Sequence, residues 1–218
     1  MNNISIIPIN NLPEFEPKYD LADEIVKSFS SNNFVLEDKD VIVITQKIVS
    51  KVEDRLIKND NESIEKLIQQ ESLEILRKRG DTVIARTKHG FICANAGIDK
   101  SNIEKGSVLL LPEDPDKTSR DIRKKIEHVT NKKISIIISD TFGRAWRKGQ
   151  TNVAIGSSGI EPLESYIGKK DAFDNELFAT EIAIIDELAG AAELVMKKSD
   201  NIPVAIIRGV NYKYSDLG

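Results

Sequence analysis

Apolar residues fall into two rhythms along this chain: short β-branched runs that read as strands, and stretches with apolar positions three or four apart that read as helices. A strand is predicted at residues 4–8. Past a proline-containing loop comes a helix at 21–29, capped by Asp20. Residues 41–45 read as a strand. Over residues 46–56, Ile48, Val49, Val52 and Leu56 share one helical face, which points Lys47, Lys51 and Arg55 elsewhere. A second helix is expected at 64–79, closed by Gly80. Paired strands are expected at 82–87 and 90–94, around Lys88 and His89, and a further strand at 108–111. The acidic stretch 114–116 leads into a helix at 118–128, followed by a buried strand at 134–139 bounded by Asp140. Strands at 153–155 and 204–207 flank a long helix at 180–196. That helix is apolar on most sides, with Asp186, Gly190, Glu193 and Lys197 forming one narrow polar stripe, so burial or a subunit interface is expected for it.

Composition narrows the class. With 218 residues, 40% hydrophobic and 30% charged, the chain can offset its ordering entropy by burial and reads as globular. Its 31 basic against 35 acidic residues, a net charge of −4, give no field to hold a polyanion, so nucleic acid is not an expected partner. The start, Met1-Asn2-Asn3-Ile4, has neither a basic nor an apolar leader region. No apolar run approaches the roughly 18 residues of a membrane span, so a cytoplasmic protein without a membrane partner is expected. One cysteine, Cys93, and two histidines, His89 and His128, exclude a thiolate metal cluster. Any metal would rest mainly on oxygen ligands, which suits Mg²⁺, Mn²⁺ or Ca²⁺.

Two stretches offer chemistry. Residues 95–102 crowd Asn, Gly, Asp and Ser behind a strand. They read either as a surface turn or as a site where Asp99 meets a hard cation and Asn102 bonds a phosphate or base. Residues 139–150 (SDTFGRAWRKGQ) place a carboxylate and a hydroxyl at a strand tip, with Arg144, Arg147 and Lys148 close behind. An acid beside three cations is what a metal-bound polyphosphate needs; the plainer reading is an acid–base loop anchored by Trp146. Lys47 and Lys51, one helical turn apart after a strand, could reach phosphate or simply form a solvated face. His89 and Cys93 read as structural. The chain has neither G-x-x-x-x-G-K-[ST] nor G-x-G-x-x-G, since Gly156 and Gly159 supply only G-x-x-G, so neither a P-loop nor a Rossmann fold is expected.

Several runs together resemble the coenzyme F-420 gamma-glutamyl ligase family: QKIVSK at 46–51, RTKHGFICANAGIDKSN at 86–102, LPEDPD at 111–116, SDTFGRAWRKGQTNVAIG at 139–156, DELAGAAELVM at 186–196 and PVAIIRG at 203–209. They follow one another in order across nearly the whole chain. The resemblance implies an α+β fold of mixed sheets with packed helices. It implies a single ligase unit over 1–218, with room for two intertwined subdomains around one active site, and a homodimer. It also implies GTP-dependent addition of L-glutamate to the deazaflavin coenzyme precursor through an acyl phosphate. Carried over residue by residue, it puts Mg²⁺ or Mn²⁺ on Asp99, Asp140 and Thr141. It puts GTP near Asn10, Asn11, Leu12, Pro13, Gln46, Lys47, Lys51 and Asn102, with a last contact around 196–202. Arg144 and Arg147 would neutralise charge during phosphoryl transfer. At 197–198 two lysines stand where some relatives offer a metal ligand, so Lys198 is expected to contact phosphate instead. The same oxygen cluster would also serve a metal-dependent nucleotide phosphohydrolase, or a non-catalytic binder of a phosphorylated cofactor.

Overall fold

The computed structural model describes residues 3–58 and 64–216. The first half contains β1 (Ser5–Ile9), α1 (Leu21–Ser31), β2 (Val41–Thr45), α2 (Gln46–Val52), β3 (Leu56–Lys58), α3 (Ile64–Glu71), β4 (Ser72–Arg79), β5 (Thr82–Thr87), β6 (Ile92–Ala94) and β7 (Ser107–Leu109). The second half contains α4 (Pro115–Thr130), β8 (Ser135–Arg144), β9 (Arg147–Ser158), β10 (Glu164–Ser165), β11 (Glu181–Ile182), α5 (Ile184–Met196) and β12 (Val204–Arg208). The result is an α+β fold of mixed sheets with packed helices.

The main sheet has the order β1-β12-β2-β8-β9, in which only β2 and β8 run parallel. Helices cover both faces, which is why β2, β8 and β12 read as almost unbroken apolar runs. On one face Ile42, Ile44, Ile136 and Ile138 pack with Ile25 and Phe29 of α1 and Ile122 and Ile126 of α4. On the other, Val41, Val43, Ile137 and Ile207 pack with Leu188, Ala189, Ala192 and Met196 of α5. A separate three-stranded sheet, β4-β5-β6, packs Val83 and Ala85 against Ile68 of α3 and Ala96. The G-x-x-G glycines are packing residues: a Cβ on Gly156 would lie 2.4 Å from the Pro115 backbone, and one on Gly159 would lie 2.5 Å from the Ile134 carbonyl oxygen. They let α4 lie directly on the sheet.

Five expected elements are redrawn. The helix expected over 46–56 stops at Val52, because Asp54 turns the chain with φ 57° and Leu56 pairs with Leu109 in β3–β7. The helix expected over 64–79 ends at Glu71, and residues 72–79 form β4 along β5. Glu71 is tied there by Arg55, whose Nη2 donates to its Oε2 at 2.8 Å, and by the Lys88 backbone N–H, so tertiary pairing overrides helix propensity. The strand expected at 134–139 runs on to Arg144 and forms a hairpin with β9, which absorbs the strand expected at 153–155. The final helix begins at Ile184, since Glu181 and Ile182 pair with β10. Its buried stripe is as expected, but Leu194 is 71% exposed.

Candidate active site

Both parallel strands end at the same place. Thr45, the last residue of β2, pairs with Ser139, so Asp140 is the first β8 residue beyond the end of its parallel neighbour. The crevice outside the carboxyl ends of parallel strands is where α/β sheets collect ligands. Here α2 starts at once from Thr45, which sets Lys47 over the crevice. The opposite wall is the turn after β6. Asn95, Ala96 and Gly97 all have positive φ (52°, 54° and 75°), and this left-handed turn swings Ile98 and Asp99 inward. Gly97 is required there, because a Cβ would meet the Leu111 side chain at 2.6 Å.

A cavity of about 390 Å³ opens between these walls, lined by Thr45, Lys47, Asp99, Asn102, Asp140, Thr141 and Lys198, with Cys93 and Phe142 at its side. A second cavity of about 300 Å³ adjoins it and shares Thr45, Lys47, Asn102 and Lys198; Leu12, Pro13 and Lys51 line its far side. Stretches read separately in the sequence thus meet in one place. Lys47 Nζ lies 2.7 Å from Asp99 Oδ2 and donates to the Ser101 carbonyl oxygen at 3.0 Å. Asn102 donates from Nδ2 to the Lys198 carbonyl oxygen at 2.9 Å, bridging segments 96 residues apart. Lys51 pairs with Glu14.

The two carboxylates are tuned in opposite directions. Burial opposes ionisation of Asp99, but Lys47 and the Ser101 donors outweigh it, and the carboxyl sits below its usual range. Asp140 is pushed up to about 6, first by burial and then by the charge of Asp99, against the partial relief of the Thr141 N–H, Lys198 and Lys47. Burial together with Asp140 raises the Cys93 thiol to about 11, which makes it a poor nucleophile.

Other expected residues lie elsewhere. Asn10 is tied through its backbone to the Asn32 side chain, and Asn11 takes a left-handed φ of 61°; neither lines either of these two cavities. Gln46 is fully buried, accepting from Ser50 Oγ at 2.8 Å, with its Nε2 unpartnered. Arg144 and Arg147 sit at the tip of the β8–β9 hairpin, outside both cavities, where Arg144 donates to the carbonyl oxygens of Lys148 and Gly149. Trp146 at that tip is 98% exposed, so it does not anchor the loop. Two further residues reach Thr141 in series: Asn152 accepts from its hydroxyl, and Glu193 accepts from Asn152. A signal for Glu193 existed in the polar stripe of α5.

A model of the F420-0:gamma-glutamyl ligase family matches residues 10–209. The chain belongs to that family. A relative from Methanocaldococcus jannaschii, named coenzyme F420:L-glutamate ligase, is 43% identical over 201 residues, 84% of this chain and 80% of its own. A protein of the same name from Methanococcus maripaludis strain C7 is 42% identical over 216 residues, covering 91% of this chain and 84% of its own.

For this member of the gamma-glutamyl ligase family, the donor set suits a hard divalent cation. Asp99, Asp140 and Thr141 offer oxygen alone, and the ammonium groups of Lys47 and Lys198 already sit on Asp99 and Thr141. Among the described residues no group of three or more His, Cys, Asp or Glu side chains could hold a metal ion. Asp99, Asp140 and Thr141 line one cavity with two carboxylates and a hydroxyl, donors of the type hard divalent cations take beside water and phosphate. Among the described residues no helix is long and apolar enough to cross a membrane.

Proposed function

We propose that this protein is a GTP-dependent amide ligase that joins L-glutamate to the deazaflavin precursor F420-0. The observation that carries this reading is the adjoining pair of cavities, which gathers Asp99, Asp140, Thr141, Lys47, Lys51 and Lys198 within a chain of this ligase family. The name of the relatives, coenzyme F420:L-glutamate ligase, supports this choice of substrates.

The chemistry follows from the poor electrophilicity of a carboxylate. An oxygen of the acceptor carboxylate attacks the γ-phosphorus of GTP, the bond from that phosphorus to the β,γ-bridging oxygen breaks, and GDP leaves. The neutral amine of glutamate then attacks the acyl carbon; phosphate departs with the bonding electrons, the nitrogen gives up a proton, and an amide remains. Asp99, Asp140 and Thr141 would hold Mg²⁺ or Mn²⁺, which would supply neutralising charge at the phosphates. Lys47, Lys51 and Lys198 would turn from their present partners toward phosphate oxygens, and Asn102 would hold the nucleotide. Leu12 and Pro13 would close the apolar side of its pocket. No nucleophilic side chain is needed, in keeping with the raised Cys93 thiol. Arg144 and Arg147 would serve only if the hairpin tip moved toward bound substrate. A homodimer in the cytoplasm completes this reading.

Hydroxylamine tests the intermediate. With GTP, acceptor and Mn²⁺ present and glutamate replaced by hydroxylamine, the acceptor hydroxamate should form with one phosphate per hydroxamate. Phosphate release that ignores the acceptor would instead mark a nucleotide phosphohydrolase, and no turnover with cofactor binding intact would mark a binder.

A further inference from the structure

The polar stripe of α5 has a function the ligase reading does not use. Asp186, Gly190 and Glu193 are half-buried and lie along β9. Asp186 Oδ1 accepts from the Ala154 N–H at 2.8 Å, next to a register shift where Ile138 pairs with Gly156 but Ser139 pairs with Ala154. Gly190 has no side chain between α5 and the strand, and a Cβ there would already touch Thr151 Oγ1 at 3.7 Å and the Asn152 carbonyl oxygen at 3.8 Å. One turn further, Glu193 reaches Asn152. The stripe therefore ends at the strand residue directly opposite Thr141.

Hydrogen-bond chemistry gives this contact a direction. The Glu193 carboxylate can only accept, and its Oε2 takes a bond from Asn152 Nδ2 at 2.9 Å. That fixes the amide of Asn152, which is 5% exposed, with its Oδ1 toward Thr141. An amide oxygen can only accept, so the Thr141 hydroxyl must donate to it, at 2.7 Å. The proton of Thr141 is thereby aimed away from the cavity, and the oxygen's lone pairs face the cation side. Lys198 Nζ occupies that side here, donating to Thr141 Oγ1 and lying 3.2 Å from Glu193 Oε1.

We propose that Asn152 and Glu193 are positioning residues that hold the Thr141 hydroxyl as a lone-pair donor for a divalent cation. This rests on the reading of Asp99, Asp140 and Thr141 as the cation site. Without the relay the hydroxyl could rotate its proton into the cavity, which would set a positive hydrogen against the ion.

The test is Mn²⁺ binding to the protein without nucleotide, followed by the electron paramagnetic resonance signal of free Mn²⁺. Asn152→Ala should weaken binding about tenfold, within the range seen when a ligand's supporting hydrogen bond is lost. Thr141→Val should weaken it by a similar factor, and Asn152→Ala added to Thr141→Val should cost nothing more. Glu193→Gln, at a partly exposed position that does not threaten folding, lets the amide turn over. It should lose affinity in the parent and not in the Thr141→Val background. Parent-like Mn²⁺ affinity in both folded variants, Asn152→Ala and Glu193→Gln, would overturn the proposal. So would an undiminished loss when either is combined with Thr141→Val, since the residues would then act by another route. If Asp140→Asn also binds Mn²⁺ like the parent, the cation site itself is misassigned and the proposal falls with it.

Discussion

Lys47 Nζ sits 2.7 Å from Asp99 Oδ2, joining the first turn of α2 to a turn 52 residues later. The pair is partly buried, and it holds an anion and a cation at the same mouth, one suited to a metal and the other to phosphate. Replacing Lys47 with Met keeps the alkyl stem and removes the charge. The KM for GTP should rise about tenfold, the loss expected for one charge-assisted hydrogen bond to phosphate. Steady-state kinetics at saturating Mn²⁺ check this, and an unchanged KM would detach Lys47 from the nucleotide.

Asp140 makes stability depend on pH. Its carboxyl is raised from an ordinary 3.8 to about 6 in the fold, so the folded state holds a proton that the unfolded chain has released between those values. The stabilising effect of that proton is complete below about pH 4 and is lost as pH rises through 6. Asp140→Asn, a permanently neutral mimic, should therefore melt above the parent at pH 7.5 without metal, and the gap should close as pH falls toward 4. Adding Mn²⁺ at pH 7.5 should raise the parent's melting temperature and leave that of the variant unchanged. Calorimetric scans across pH measure both effects.

Gly156 lies where a Cβ would be 2.4 Å from the Pro115 carbonyl carbon, and backbone cannot yield as a side-chain end can. Gly156→Ala should lower stability by about 3 kcal/mol through overpacking of α4 on the sheet. Urea unfolding of the two proteins measures the difference.

The unbroken apolar run at 134–139 reads as a buried strand because both faces of the sheet are covered, the runs at 41–45 and 204–207 read as strands, and Asp20 marks its helix start by accepting from the Asp23 N–H. The segment 72–79 reads as helix in the sequence and folds as a strand for a physical reason. Its helix-forming Leu, Glu, Arg and Lys residues are overridden by pairing with β5, a partner that local periodicity cannot reveal. Asp99, Asp140, Lys47 and Asn102 were legible by residue type, but their meeting depends on the left-handed turn at Asn95, Ala96 and Gly97 and on where β2 ends. The hairpin was the harder case: nothing in SDTFGRAWRKGQ says that Asp140 belongs to the ladder while Arg144 and Arg147 stand at a tip outside the cavities. Glu193 was visible in a polar stripe, and only the approach of α5 to β9 at Gly190 gave it a partner.

Leu188 is 5% exposed and packs in the cluster between α5 and the sheet. Leu188→Glu should destabilise the protein by about 4 kcal/mol or more, by burying a charge with no partner. A melting temperature equal to the parent's would place this helix face in solvent.

Glutamyl transfer should depend on the Asp99–Asp140–Thr141 cluster. Mass spectrometry of the deazaflavin after incubation with protein, GTP, L-glutamate and Mn²⁺ tests it most directly. The parent protein should yield a product heavier by one or more glutamyl residues, and folded Asp140→Asn, or the parent after removal of metal by a chelator, should leave the acceptor unmodified. Unmodified acceptor with the parent, or equal glutamylation by Asp140→Asn at saturating metal, would contradict it.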